Sequence, residues 1–188
     1  MSSGRNPFLF FCAAILSFCF AACSSTQTRN SNTNTGDNNG NGSASERSIS
    51  LDDTNTALGN LSYAPHGRGF DYKATGIDPA DFQTWASQAK PKIQQALDQV
   101  GQGFVLQVTG HTCSIGPRDA VPAQGKKGNI WYSTERARAV FTALVNSGIP
   151  AARITIKGIA DDESLPGIPG TDQRNRRVTF KVVPASAQ

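Results

Sequence analysis

Residues 110–140 constrain this chain more than any other stretch. They run Gly110-His111-Thr112-Cys113-Ser114-Ile115-Gly116, then an irregular insert, then Asn129-Ile130-Trp131-Tyr132-Ser133-Thr134-Glu135-Arg136-Ala137-Arg138-Ala139-Val140. Just ahead, Phe104-Val105-Leu106-Gln107-Val108-Thr109 is apolar enough for a central buried strand. The whole therefore reads as a strand ending in a glycine-bounded turn, a loop, and a helix capped by Ser133. Ala137, Val140, Phe141 and Leu144 form the buried stripe of that helix, and Gly148 and Pro150 stop it. The first turn of a helix carries unpaired N–H groups and the positive end of the dipole, so such a corner favours an anion. On this reading Arg136 lies inside the first turn, where a cation is disfavoured by roughly 0.3–1 kcal/mol. An incoming anion would offset that cost.

The flanking elements follow from periodicity. Residues 69–75 read as a first strand, with Phe70 and Tyr72 on one face and Asp71 and Lys73 on the other. Asp78-Pro79 supplies an N-cap and a first-turn proline. Phe82, Trp85, Ala86, Ala89, Ile93, Ala96, Leu97 and Val100 then recur at helical spacing, with Trp85 in the core and Pro91 expected to kink the helix or split it in two. Residues 153–157 read as a third strand with Ile154 and Ile156 inward. Residues 177–183 read as a last strand with Val178, Phe180 and Val182 on one side. The expected class is α+β: a two-layer sandwich of βαβαββ type, with a four-stranded mixed sheet and helices packed on one face.

The N-terminus reads as a processing signal. Arg5 precedes an apolar run at 8–20 that is too short to span a bilayer, and Phe20-Ala21-Ala22-Cys23 resembles a lipoprotein cleavage site. Residues 1–22 are then a signal peptide and Cys23 an acylated anchor. Ser24 is compatible with sorting to an outer membrane, and a cut near Ala22 without lipidation would still export the chain. Residues 23–67 are rich in Ser, Thr, Asn, Gly and Asp and read as a disordered tether, with a reach of roughly 35–40 Å. The domain proper is expected at 68–188. Cys12 and Cys19 leave with the signal and Cys23 takes lipid, so Cys113 remains alone and no intramolecular disulfide is available. Without the leader, which carries only Arg5 of the 18 basic residues and none of the 14 acidic ones, the net charge falls from +4 to +3. That mild excess argues against a nucleic-acid binder.

Three motifs in order, Gly-His-Thr-x-x-x-Gly from Gly110, Asn-x-x-x-Ser-x-x-Arg-Ala-x-x-Val from Asn129, and Asn175-Arg176-Arg177-Val178, resemble the OmpA-like peptidoglycan-binding domain over roughly residues 68–184. With the lipoprotein signal, the arrangement is Pal-like. The resemblance implies a non-catalytic module without cofactor or metal, anchored in the outer membrane by lipid and holding the wall's stem peptide from the periplasm, with other envelope proteins as further partners. It implies peptidoglycan contacts from Thr112, Cys113, Asn129, Arg136, Asn175 and Arg176. In the family an Asp directly after Gly-His-Thr takes the ammonium of the diamino acid and the helix Arg takes its carboxylate. At the Asp position this chain has Cys113.

A thiol cannot replace a charge-assisted hydrogen bond of about 1.5–3 kcal/mol. Three readings follow. Wall binding persists, with Asp119, Asp161 or Asp162 standing in; or the wall contact differs; or the fold has become a protein-binding scaffold. A thiolate–imidazole pair of Cys113 with His111, or a metal site adding His66, is an outside reading, because no third orienting group is identifiable.

Overall fold

The computed structural model describes residues 42–187, which belong to a compact unit spanning Gly40–Gln188. The expected signal peptide, Cys23 and the first part of the tether lie outside the described residues.

Four strands form one sheet: β1 (Ser62–Tyr63), β2 (Phe104–Gly110), β3 (Ile154–Gly158) and β4 (Val178–Pro184). Their order is β1-β4-β2-β3, with β2 and β3 parallel and the other pairs antiparallel. Three helices accompany them: α1 (Gly42–Gly59), α2 (Pro79–Val100) and α3 (Gly128–Asn146). The α+β class and the mixed four-stranded sheet are as the periodicities predict, and β2 sits in the interior of the sheet. Leu106 and Val108 of β2 and Val178, Phe180 and Val182 of β4 meet the buried stripes of α2 (Phe82, Ala86, Ala89, Ile93, Ala96, Leu97) and α3 (Ala137, Val140, Leu144) in one core. Asp78 caps α2 as expected, its Oδ1 accepting from the N–H groups of Ala80 and Asp81. Pro91 lies within α2, which runs through it as one helix.

Two expectations need correction. Residues 42–67 are not wholly tether: α1 and β1 belong to the domain. Leu51, Thr54 and Leu58 recur at helical spacing, Leu58 is only 1% exposed, and Leu61 and Tyr63 join the same core. The side chain of Asn55 explains how so polar a helix docks. Its Nδ2 donates to the Val182 carbonyl (3.1 Å) and its Oδ1 accepts from the Val182 N–H (2.6 Å). One amide thus serves the β4 edge where the two-residue β1 provides no partner. Tyr63 then meets Phe70, Phe82 and Trp85 edge-on at 5.9, 5.4 and 5.3 Å, and Trp85 stacks on Phe180 at 5.2 Å.

The second correction concerns 69–75, which is irregular rather than a strand. Its carbonyls accept from side chains instead of a ladder: Gly69 from Gln173 Nε2, Phe70 from Arg176 Nε, and Ala74 from Arg136 Nε. Phe70 is buried, but Tyr72 is 56% exposed, so the expected pairing on one face does not form.

A chain beginning at 68 therefore lacks part of its own core. Leu58→Ala is expected to cost about 2–5 kcal/mol in urea unfolding, and truncation to 68–188 more than that. Equal stability of the 68–188 and 42–188 forms would contradict the docking of α1 and β1.

Candidate functional site

The end of β2, the start of α3 and the residues leading into β4 converge on a cavity of about 390 Å³. What brings them so close is a pair of glycines. Gly110 and Gly158 are opposite one another across β2 and β3. A Cβ on Gly110 would overlap the Ser133 carbonyl, and one on Gly158 would overlap the backbone and side chain of Thr134. Bare backbone at these two positions lets α3 lie directly on the sheet, and Ser133 Oγ accepts from the Ala160 N–H at 3.1 Å to fasten it.

This contact also corrects the expected helix start. α3 begins at Gly128, not at Ser133, which lies inside the helix and donates to the Ile130 carbonyl. Arg136 is consequently in the third turn, beyond reach of the N-terminal end of the dipole. The corner itself is also partly filled, since the N–H groups of Asn129 and Ile130 donate to the carbonyls of Pro117 and Arg118 at 2.8 and 3.0 Å. The positive charges that line this corner are therefore those of side chains.

Arg136 is 1% exposed and Arg176 7% exposed. Arg136 donates from Nε to the Ala74 carbonyl (2.9 Å) and from Nη1 to the His111 carbonyl (3.0 Å), with its guanidinium 5.1 Å from the Phe70 ring centroid. Arg176 donates from Nε to the Phe70 carbonyl (2.6 Å) and from Nη1 to Cys113 Sγ (3.2 Å). Neither forms an ion pair among the described residues, whose pairs are His66–Asp81, Arg118–Asp162, Arg138–Glu135 and Arg174–Asp172. Burial, and after it the neighbouring Arg176 charge, push the Arg136 pKa down to about 10. The guanidinium is still charged at neutral pH, and its charge is solvated by carbonyl dipoles rather than neutralised.

Of the six residues implied by the motifs, Thr112, Cys113, Asn129, Arg136 and Arg176 line this one cavity. Asn129 is a positioning group there, its Nδ2 donating to the Cys113 carbonyl at 3.3 Å. Thr112 is 3% exposed and its Oγ1 has no partner. Asn175 does not line the cavity. It is fully buried and engaged with the 165–170 connection, accepting from the Leu165 N–H and donating to the carbonyls of Pro169 and Gly170.

Periodicity gave no hint of the rest of the lining. Val121 and Lys126 close the 117–128 loop as an antiparallel bridge that brings Gln124, Lys126 and Lys127 to the rim, with Lys127 Nζ 3.7 Å from the Trp131 ring centroid. Lys73 also lines the cavity, as do Tyr72 and Ile115, the two large hydrophobic side chains that are exposed among the described residues. The lining has five cations, Lys73, Lys126, Lys127, Arg136 and Arg176, and no carboxylate. The proposed stand-ins do not reach it: Asp162 is held by Arg118, and Asp119 and Asp161 lie outside the lining.

The sequence model of the OmpA family matches residues 81–177, more than half of the chain. The chain belongs to the OmpA family. No curated protein sequence matches it. Among solved structures, it is similar to the OmpA-like domain of FopA1 from Francisella tularensis (20% identity, 62% of this chain and 70% of that one, TM-score 0.40). It is also similar to the peptidoglycan-associated lipoprotein from Burkholderia pseudomallei (18% identity, 71% and 99%, TM-score 0.48). A third is the cell wall anchor of the T6SS from Pseudomonas aeruginosa (24% identity, 65% and 78%, TM-score 0.43).

In this OmpA-family domain His111 serves the corner as a neutral, fully buried group. Its Nε2 shares a hydrogen bond with Thr179 Oγ1 at 2.8 Å, and it makes none to Cys113. Burial first, and the Arg177 charge second, lower its pKa from 6.5 to about 3. The unfolded chain takes up a proton near pH 6.5 that the folded chain does not take up until about pH 3. The stability this contributes is complete above 6.5 and is lost as pH falls toward 3. By about pH 5 the loss is on the order of 2 kcal/mol. Urea unfolding at about pH 7.5 and about pH 5 is expected to show a smaller pH dependence in His111→Gln than in the wild type; identical dependence would contradict a buried neutral imidazole.

Proposed function

We propose that this chain is a non-catalytic envelope protein that holds peptidoglycan non-covalently through the β2–α3 cavity, with Cys23 as its lipid anchor in the outer membrane and the following polar residues as tether. The observation that carries this reading is the pair of buried arginines, Arg136 and Arg176, which line a cavity without a carboxylate and form no ion pair among the described residues. Their hydrogen bonds to neutral acceptors offset part of the desolvation but supply no counter-charge, which an anionic ligand would provide. The exposed Tyr72 and Ile115 at the rim add apolar surface suited to the body of a peptide or the face of a sugar. Within the OmpA family, peptidoglycan is the partner this arrangement fits.

Nothing about the thiol supports catalysis. Cys113 is buried, its sulfur accepts from Arg176, and the neighbouring imidazole is turned to Thr179. Among the described residues no cluster of His, Cys, Asp and Glu has the makings of a metal site, and no helix is long and apolar enough to cross a membrane. One observation favours the scaffold reading in place of wall binding: the cavity lacks the acid that the family uses for an ammonium.

Co-sedimentation of residues 24–188 with purified sacculi separates the two. Wall binding predicts pelleting that falls at least about tenfold in affinity in Arg136→Ala, as expected for loss of a charged hydrogen-bonded contact. The Lys126→Gln/Lys127→Gln variant changes only exposed side chains and is expected to give a smaller loss. Pelleting unaffected by either variant, with folding intact, would remove the cavity from the wall-binding role.

A further inference from the structure

The same cavity shows which end of a wall peptide it suits. We infer that it takes a carboxylate whose neighbouring nitrogen is acylated, the carboxyl terminus of a peptide, and not the adjacent ammonium and carboxylate of a free amino-acid end. This rests on reading the cavity as the wall-binding site.

An ammonium brings three N–H donors and a positive charge, and it needs acceptors. Those the cavity offers are neutral: Cys113 Sγ already accepts from Arg176 and the Cys113 carbonyl from Asn129, which leaves amide oxygens such as those of Asn129 and Gln124. No carboxylate lines the cavity, while five cations do. Each of them repels a second positive charge, and the two buried arginines are shielded least by solvent.

A carboxylate meets the opposite situation. Nη2 of Arg136 and Nη2 of Arg176 make no hydrogen bond to the described residues, so both guanidinium groups have a donor to spare. An acylated nitrogen beside that carboxylate brings one neutral N–H. That single neutral donor can be met by a neutral acceptor of the lining such as the Asn129 amide oxygen, without adding a positive charge beside the five cations. The substitution of Cys113 for the family's acid thus exchanges one ligand class for another: the site keeps its anion-binding half and closes its ammonium-binding half.

The test is a chemical-shift titration of residues 24–188, which contain every element of the described fold. The probes are N-acetyl-D-alanyl-D-alanine, the same peptide with a C-terminal amide, and diaminopimelic acid. Sacculus pelleting is measured on the same preparation. The capped acid is expected to bind at least about tenfold tighter than either of the others, the loss anticipated for a charged hydrogen bond missing or a like charge introduced. Cys113→Asp is expected to reverse the order of the capped acid and diaminopimelic acid. Lys126→Gln/Lys127→Gln, which leaves the core untouched, is expected to weaken the capped acid without changing that order. Diaminopimelic acid binding as tightly as the capped acid, with pelleting retained, overturns this inference and leaves wall binding standing. Absence of pelleting overturns wall binding, and if the capped acid also fails to bind, both fall.

Discussion

Two guanidinium groups held by backbone carbonyls, with no carboxylate to neutralise them, organise one end of this domain. Arg136 fastens the 70–75 segment to the end of β2 by donating to the carbonyls of Ala74 and His111, and Arg176 fastens it to the start of β4 through the Phe70 carbonyl. A segment with strand-like alternation is thereby bent into an irregular wall, because its carbonyls are taken by side chains before a neighbouring strand can use them. Each charge-assisted bond contributes about 1.5–3 kcal/mol, which offsets part of the desolvation of a guanidinium but leaves its net charge in place. That residual charge is what a ligand can meet.

The sheet and helices make this tolerable. Gly110 and Gly158 remove side-chain bulk where α3 crosses β2 and β3, so the helix delivers Arg136 to the strand end at a depth that any larger residue would prevent. At Val182 Asn55 performs an analogous substitution, a side-chain amide standing in for strand backbone along β4. In both places polar groups with no regular partner determine geometry: a β edge completed by a helix, and arginines solvated by a loop. The difference is that Asn55 is satisfied within the fold, whereas neither arginine has an ion-pair partner among the described residues.

Much of this was readable in the sequence, and the failures have identifiable causes. The stripes of α2 and α3 and the alternation of β4 follow from apolar residues at regular spacing, and the Asp78-Pro79 cap is a local signal. Ser133 has the chemistry of a cap, yet its hydroxyl is used inside the helix, and α3 starts at Gly128. In the part of α1 whose burial is described, Leu51, Thr54 and Leu58 recur at three and four among polar neighbours, a spacing too sparse to outweigh composition. For the site, Asn175 belonged to the right motif but points into its own loop. Lys73, Lys126 and Lys127 come from irregular segments whose placement depends on tertiary bonds, such as the Val121–Lys126 bridge, that no local pattern encodes. Even the absence of an acid near Cys113 was visible only as a missing residue; that no other carboxylate replaces it is a property of the assembled cavity.

The most direct measurement is of the arginine side chains themselves: the Nε–Hε and Nη resonances of Arg136 and Arg176, followed by NMR while soluble wall fragments are added. If these groups receive the ligand carboxylate, the guanidinium resonances of both shift together and saturate with the affinity seen for binding. Binding that leaves both sets unmoved while other surfaces respond would mean that the buried charges are purely structural, and that the wall, if it is the partner, is held elsewhere.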